Sequence, residues 1–225
     1  IFLCLLEPDI QLTNIINFKR MKIKSILMFF LVCCMQANAE TICNDDGTVT
    51  FQYKNDQAKE VLVDVQFAGR KPMQKDAKTG LWTITLGPAA PDMYPYCFVV
   101  DGVSIMDPDN PQYFPNEGFK NSLLEIPSKE GSLPHDIRSD VEHGRVEYIH
   151  YYSKSLGATN NAVVYLPPSY MMDMQKKYPV FYLISGTTDA EEVYYMVCRV
   201  NYILDNLIAD KQAKEMIVVL HYGNP

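Results

Sequence analysis

Tyr178-Pro-Val-Phe-Tyr-Leu-Ile-Ser-Gly-Thr-Thr-Asp189 sets the architecture of the C-terminal half of the chain. Tyr178 to Ile184 is a short apolar run without polar alternation, which reads as a strand buried on both faces. A Gly-containing loop follows. Within Val200 to Ala209, residues Ile203, Leu204, Leu207 and Ile208 fall at i, i+1, i+4 and i+5, a helical apolar stripe. Met216 to Leu220 then repeats the buried-strand pattern. Strand, helix and strand in this order make one βαβ unit, the opening of a parallel sheet with cover on both faces. The loop at the C-terminal end of the first strand is where such sheets place ligand chemistry.

Upstream, Gly144 to Tyr152 and Asn161 to Leu166 predict an antiparallel hairpin around Ser155-Leu-Gly-Ala-Thr159, ended by Pro167-Pro168. Before it, residues 128–140 mix Pro, Ser, Gly and charge without periodicity, the composition of a linker. From Thr48 to Ile126 the pattern changes to strands separated by turns. The strands expected are Thr48 to Tyr53, Glu60 to Val65, Leu81 to Leu86, Tyr96 to Val100, Val103 to Met106 and Ser122 to Ile126. Asp101-Gly102 is a two-residue turn that favours positive φ, and Asp107-Pro-Asp-Asn-Pro111 stops the strand before it. Such a series in residues 41–127 predicts a small antiparallel β-sandwich. The fold class expected is therefore two domains, an all-β sandwich followed by the N-terminal half of an α/β sheet over 141–225.

Met21-Lys-Ile-Lys-Ser opens a segment with an apolar core from Ile26 to Val32 and small residues at Ala37-Asn38-Ala39. Residues 21–39 thus read as a secretory signal peptide cleaved after Ala39, giving a secreted or periplasmic product. Residues 1–20 then form an upstream or leader segment. The apolar core is shorter than the roughly 20 residues a membrane span requires, so no stable span is expected. Composition is ordinary for a globular protein, 48% hydrophobic and 21% charged over 225 residues. The formal net charge of −7 and the lack of a Lys/Arg run exclude a phosphate-tracking surface, hence a nucleic-acid partner.

Cys43, Cys97 and Cys198 remain once the leader, with Cys33 and Cys34, is set aside. An odd number in an exported protein implies a free thiol, a Cys43–Cys97 bridge is open, and no Cys/His ligand spacing points to a metal. Ser185 at a strand end reads as a turn residue. His135, His143, His150 and His221 are scattered, and only His221, after the second buried strand, is placed to line a cleft. Asp189, Glu191 and Glu192 fit a helix N-terminus, where the dipole favours negative charge. Trp82 reads as core, and Tyr113 and Phe114 as packing between the two halves. Tyr94 and Tyr96, with these, offer faces on which sugars stack.

Two antiparallel strands, the Pro167-Pro-Ser-Tyr170 bend, the Tyr178 to Gly186 run, Asn201 to Ala209 and Met216 to Leu220 together resemble the esterase D-like α/β-hydrolases. The match is to feruloyl and acetylxylan esterases of carbohydrate esterase family one. The sandwich, with Val99-Val-Asp-Gly-Val103 and Asp107-Pro-Asp-Asn-Pro111, looks like the immunoglobulin-like early-set domain, akin to a glycogen-binding module, that precedes such esterases. The resemblance implies a serine hydrolase acting on feruloyl or acetyl esters of plant cell-wall polysaccharide, with no cofactor. It implies an oxyanion loop at Ser185, Gly186 and Thr187, whose backbone N–H groups face developing charge. Family members carry His-Gly where this chain has Ser185-Gly186, and further Gly where it has Thr187-Thr188. No G-x-S-x-G occurs, so no catalytic residue is assigned and the triad is expected beyond Pro225, in a chain that is itself inactive. A noncatalytic glycan-binding protein with a degenerate hydrolase domain is the alternative, and a third reading makes the sandwich a brace.

Overall fold

The computed structural model describes residues 39–172 and 175–223. The upstream segment 1–20, the leader up to residue 38, Cys33 and Cys34 lie outside these residues. Ala39–Pro225 clusters as one compact unit.

Nine strands among the described residues precede residue 127: β1 (Ile42–Cys43), β2 (Val49–Lys54), β3 (Val61–Val65), β4 (Gly69–Pro72), β5 (Gln74–Lys75), β6 (Leu81–Leu86), β7 (Asp92–Val100), β8 (Val103–Ile105) and β9 (Ser122–Ile126). They form two antiparallel sheets, ordered β1-β2-β6-β5 and β4-β3-β7-β8, with β9 also paired to β7. Alternation explains their packing. Val61, Val63 and Val65 of β3 point inward while Leu62 and Asp64 point away, and one core joins them to Phe51 of the first sheet and Phe98 of the second. Burying each such side chain contributes about 1.5–3 kcal/mol. Trp82 is core, as expected, and its indole N–H is satisfied by the Asn55 carbonyl at 2.9 Å. Asp101 (φ 47°) and Gly102 (φ 87°) make the tight β7–β8 turn through two positive-φ residues.

The third sheet is mixed, in the order β10-β11-β13-β12. β10 (Arg145–Ser153) and β11 (Ala158–Leu166) form the expected hairpin, β12 (Val180–Ile184) runs parallel to β13 (Ile217–His221), and β11 pairs antiparallel with β13. One helical turn, α1 (Val193–Met196), precedes α2 (Val200–Ala209), which crosses from β12 to β13. Leu204 of α2 packs on Val163, Tyr165, Val218 and Leu220. Among the described residues no helix is long and apolar enough to cross a membrane.

One reading changes. β12 is not buried on both faces: Phe181 is 50% exposed, Tyr182 66% and Ile184 60%. It is the edge of the sheet, paired on one side with β13, and lacks the second neighbour and the helical cover that its apolar run anticipates. The residues with linker composition are bonded to α2. Asn206 of α2 donates from Nδ2 to the carbonyls of Pro134 and Asp136, both at 3.0 Å. Arg138 reaches Asp210 at the end of the same helix.

Candidate functional site

The loop after β12 begins at Ser185, which is buried and fully engaged. Its N–H donates to the His221 carbonyl (3.1 Å), its Oγ donates to the Asp189 carbonyl (2.9 Å), and Oγ accepts from the Gly223 N–H (3.2 Å). Ser185 is therefore the knot that ties the ends of two strands together, and its amide is withdrawn from the donor set expected from sequence. Asp189 N–H closes the turn on the Gly186 carbonyl at 3.1 Å. The N–H groups of Gly186 and Thr187 form no hydrogen bond with any described residue. A Cβ on Gly186 would stand 3.0 Å from Asp189 Oδ2, so glycine keeps this approach open. Two adjacent, uncommitted backbone donors at a strand end are suited to an oxygen that gains negative charge.

A cavity of about 400 Å³ opens at the ends of β12 and β13, lined by Asn160, Asn161, Ile184, Glu191, His221 and Gly223 among others but by none of residues 185–190. His221 lines it, and its Nε2 shares a hydrogen bond with the Tyr151 hydroxyl. His150 Nδ1 meets Asn161 Oδ1 at 2.7 Å, on the exposed side of the hairpin. Asn160 Nδ2 is buried without a partner among the described residues. Of the acidic trio, Glu192 is the N-cap residue of α1 without a side-chain cap bond, Glu191 reaches the cavity, and Asp189 faces Asn116.

Below the loop, α2 is fixed by a buried polar cluster. Asp205, 1% exposed, accepts from Tyr165 Oη (2.6 Å) and Gly144 N–H (3.0 Å) on Oδ1, and its Oδ2 lies 3.1 Å from His143 Nδ1. Burial, and then the Asp205 carboxylate, push the Tyr165 hydroxyl far above the usual phenol range, so it stays a donor. Gly144 is required here, because a Cβ would lie 2.4 Å from the Leu166 carbonyl. This cluster was missed from sequence: its members are 61, 62 and 40 residues from Asp205 and share no local pattern.

A second cavity, about 340 Å³, lies between the β7–β9 region and the third sheet, with Tyr113, Tyr148, Tyr195, Tyr202 and Arg199 on its walls. Tyr113 has the Lys120 ammonium over its ring, and Arg199 is held by Glu125. Cys43, Cys97 and Cys198 are all free thiols, which closes the question of a Cys43–Cys97 bridge. No group of three or more potential metal ligands occurs among the described residues.

Residues 153–225 match the family model described as a putative esterase. The chain is 34% identical over 186 residues to an endo-1,4-beta-xylanase/feruloyl esterase of Xylanibacter ruminicola, a match covering 80% of this chain and 25% of the relative. The chain thus spans a quarter of that curated relative's length. The enterobactin esterase of Shigella flexneri superposes with a TM-score of 0.56 at 19% identity, over 84% of this chain and 56% of that one. The ferric enterobactin esterase of Salmonella typhimurium gives 0.52 at 17% identity, over 83% and 56%. At such identities the likeness bears on fold alone. Residues 153–225 are thus similar to an esterase family, and the mostly β structure has a fold like that of these two solved proteins.

Proposed function

We propose that this chain belongs to a secreted or periplasmic carbohydrate esterase, a serine hydrolase that cleaves feruloyl or acetyl esters of xylan-like glycans. The observation that carries the reading is the pair of uncommitted amides at Gly186 and Thr187, within the segment that matches an esterase-family model. In serine ester hydrolysis the carbonyl oxygen becomes an oxyanion when the nucleophile adds, and fixed N–H donors stabilise it more than they stabilise the ester. Gly186 and Thr187 supply such donors from the loop after β12. Ser185 is not assigned as the nucleophile, since its Oγ is spent on Asp189 and Gly223 and no imidazole of the described residues hydrogen-bonds it. The nucleophile, its base and the orienting acid are assigned to residues outside this sequence.

The reading includes an immunoglobulin-like early-set module at 41–127, a segment of an α/β-hydrolase at 141–225 and a signal peptide cleaved after Ala39. The test is to express the complete open reading frame that carries this chain and assay methyl ferulate and p-nitrophenyl acetate. Turnover that a fluorophosphonate abolishes is expected there, and none above a matched control from the 225-residue chain alone. Retained xylan binding without turnover in the complete protein would replace the esterase reading with a noncatalytic glycan binder. Ser-dependent turnover by the 225-residue chain would refute the assignment of the nucleophile.

A further inference from the structure

We propose that Asn116, far from the esterase-like segment in sequence, is a positioning residue that sets the conformation of the 186–189 loop. Its catalytic consequence rests on the esterase reading above, whereas the clamp itself rests on geometry. Asn116 Nδ2 donates to Thr188 Oγ1 and to Asp189 Oδ1, both at 3.0 Å. Its Oδ1 accepts the Gly118 N–H at 2.8 Å, which turns the amide so that Nδ2 faces the loop. Backbone bonds bracket this contact: Glu117 N–H to the Thr188 carbonyl at 2.8 Å, and Ala190 N–H to the Pro115 carbonyl at 3.2 Å. Asn116 and Asp189 therefore pair as an isolated antiparallel bridge. The Tyr222 hydroxyl adds a bond to Glu117 from the strand end on the other side of the loop.

Thr188 shows why the loop needs such a clamp. Its φ is 71°, in the left-handed region that a β-branched residue enters only against strain. Both its hydroxyl and its carbonyl are held from the 116–117 turn. The peptide plane that carries the Thr188 N–H precedes that φ, and the Gly186 and Thr187 amides precede it in turn. Release of Thr188 to an ordinary β or α conformation would reorient the peptide planes that carry these donors relative to the rest of the site. The 115–117 turn is thus more than a brace, because it completes the donor geometry of a loop about 70 residues away.

The test uses N116D and the reciprocal N116D/D189N double variant. N116D keeps the acceptor for Gly118 but sets a carboxylate against Asp189, and the double variant restores a donor–acceptor pair with its direction reversed. In amide hydrogen exchange, the Glu117, Asp189 and Ala190 amides should exchange ~10-fold or more faster in N116D and recover in the double variant. The β13 amides should be unchanged in both. In the complete protein, kcat on methyl ferulate should fall ~10- to 100-fold in N116D with KM nearly constant, and recover in the double variant. Unchanged exchange at 117, 189 and 190, or failure of the double variant to restore it, would overturn the clamp. Faster exchange with unaltered kcat would overturn its positioning role. If the unsubstituted complete protein shows no turnover, the esterase reading fails, and the exchange arm still judges the clamp.

Discussion

Replacing Asp205 by Ala removes the acceptor on which three groups converge, and the structure fixes what each would lose. Tyr165 Oη and Gly144 N–H both bond Oδ1, at 2.6 and 3.0 Å, and the Tyr165 side chain has no exposure through which water could replace it. Each buried donor left unpaired costs about 1–3 kcal/mol. His143 is partly exposed and can turn to solvent, so its share is small. Against this, removing a buried carboxylate relieves its desolvation. The net expectation for D205A is a loss of ~3–4 kcal/mol, a large fraction of the ~5–15 kcal/mol typical of a domain. D205N keeps a carbonyl oxygen where Oδ1 now receives both donors, and should cost only ~1 kcal/mol. Urea unfolding of the two variants and the parent chain, followed by tryptophan fluorescence and far-UV circular dichroism, gives both values if the slopes match. A D205A loss under ~1 kcal/mol, or one equal to that of D205N, would refute the assignment of this cluster as the anchor of α2.

Glu215 is held below its ordinary carboxyl value of 4.5 by its hydrogen bond from Lys176, then by Ser169. Its contribution is therefore complete at neutral pH and is lost as pH falls through and below 4.5, so E215Q should lower Tm at pH 7 and narrow the difference between pH 7 and pH 3. The edge strand β12, with Val180, Phe181, Tyr182 and Ile184 exposed, offers unpaired backbone and apolar surface to a second copy. Y182K should reduce self-association of the chain in sedimentation velocity without lowering Tm, and an unchanged distribution would show that β12 is not the contact. At Gly144 an added Cβ would also lie 2.6 Å from Tyr165 Cε2, so G144A should destabilise by ~2 kcal/mol or more in the same urea assay.

What was legible in the sequence was what local chemistry decides. The Asp101-Gly102 turn, the alternation of β3 and the bounds of α2 follow from φ preference and side-chain period, and the structure has them at the expected places. β4 and β5 escaped notice because their residues are exposed on both sides and carry no apolar period. β12 misled because an apolar run encodes only a preference for cover, while actual cover depends on what lies beside the strand. At the site, the role of Ser185 as a turn residue was readable, but the loss of its amide to His221 was not. The Asn116 clamp and the Asp205 cluster join residues 40 to 73 apart through polar side chains, which hydrophobic pattern does not register.

The central claim, that the Gly186 and Thr187 amides receive the oxyanion, is tested most directly by a structure of the complete protein bearing a phosphonate adduct on its nucleophilic serine. The account predicts a phosphonyl oxygen ~2.7–3.1 Å from at least one of these two nitrogens, with the Asn116–Asp189 bond intact. A phosphonyl oxygen held by other donors, with Gly186 and Thr187 turned away from it, would contradict the account.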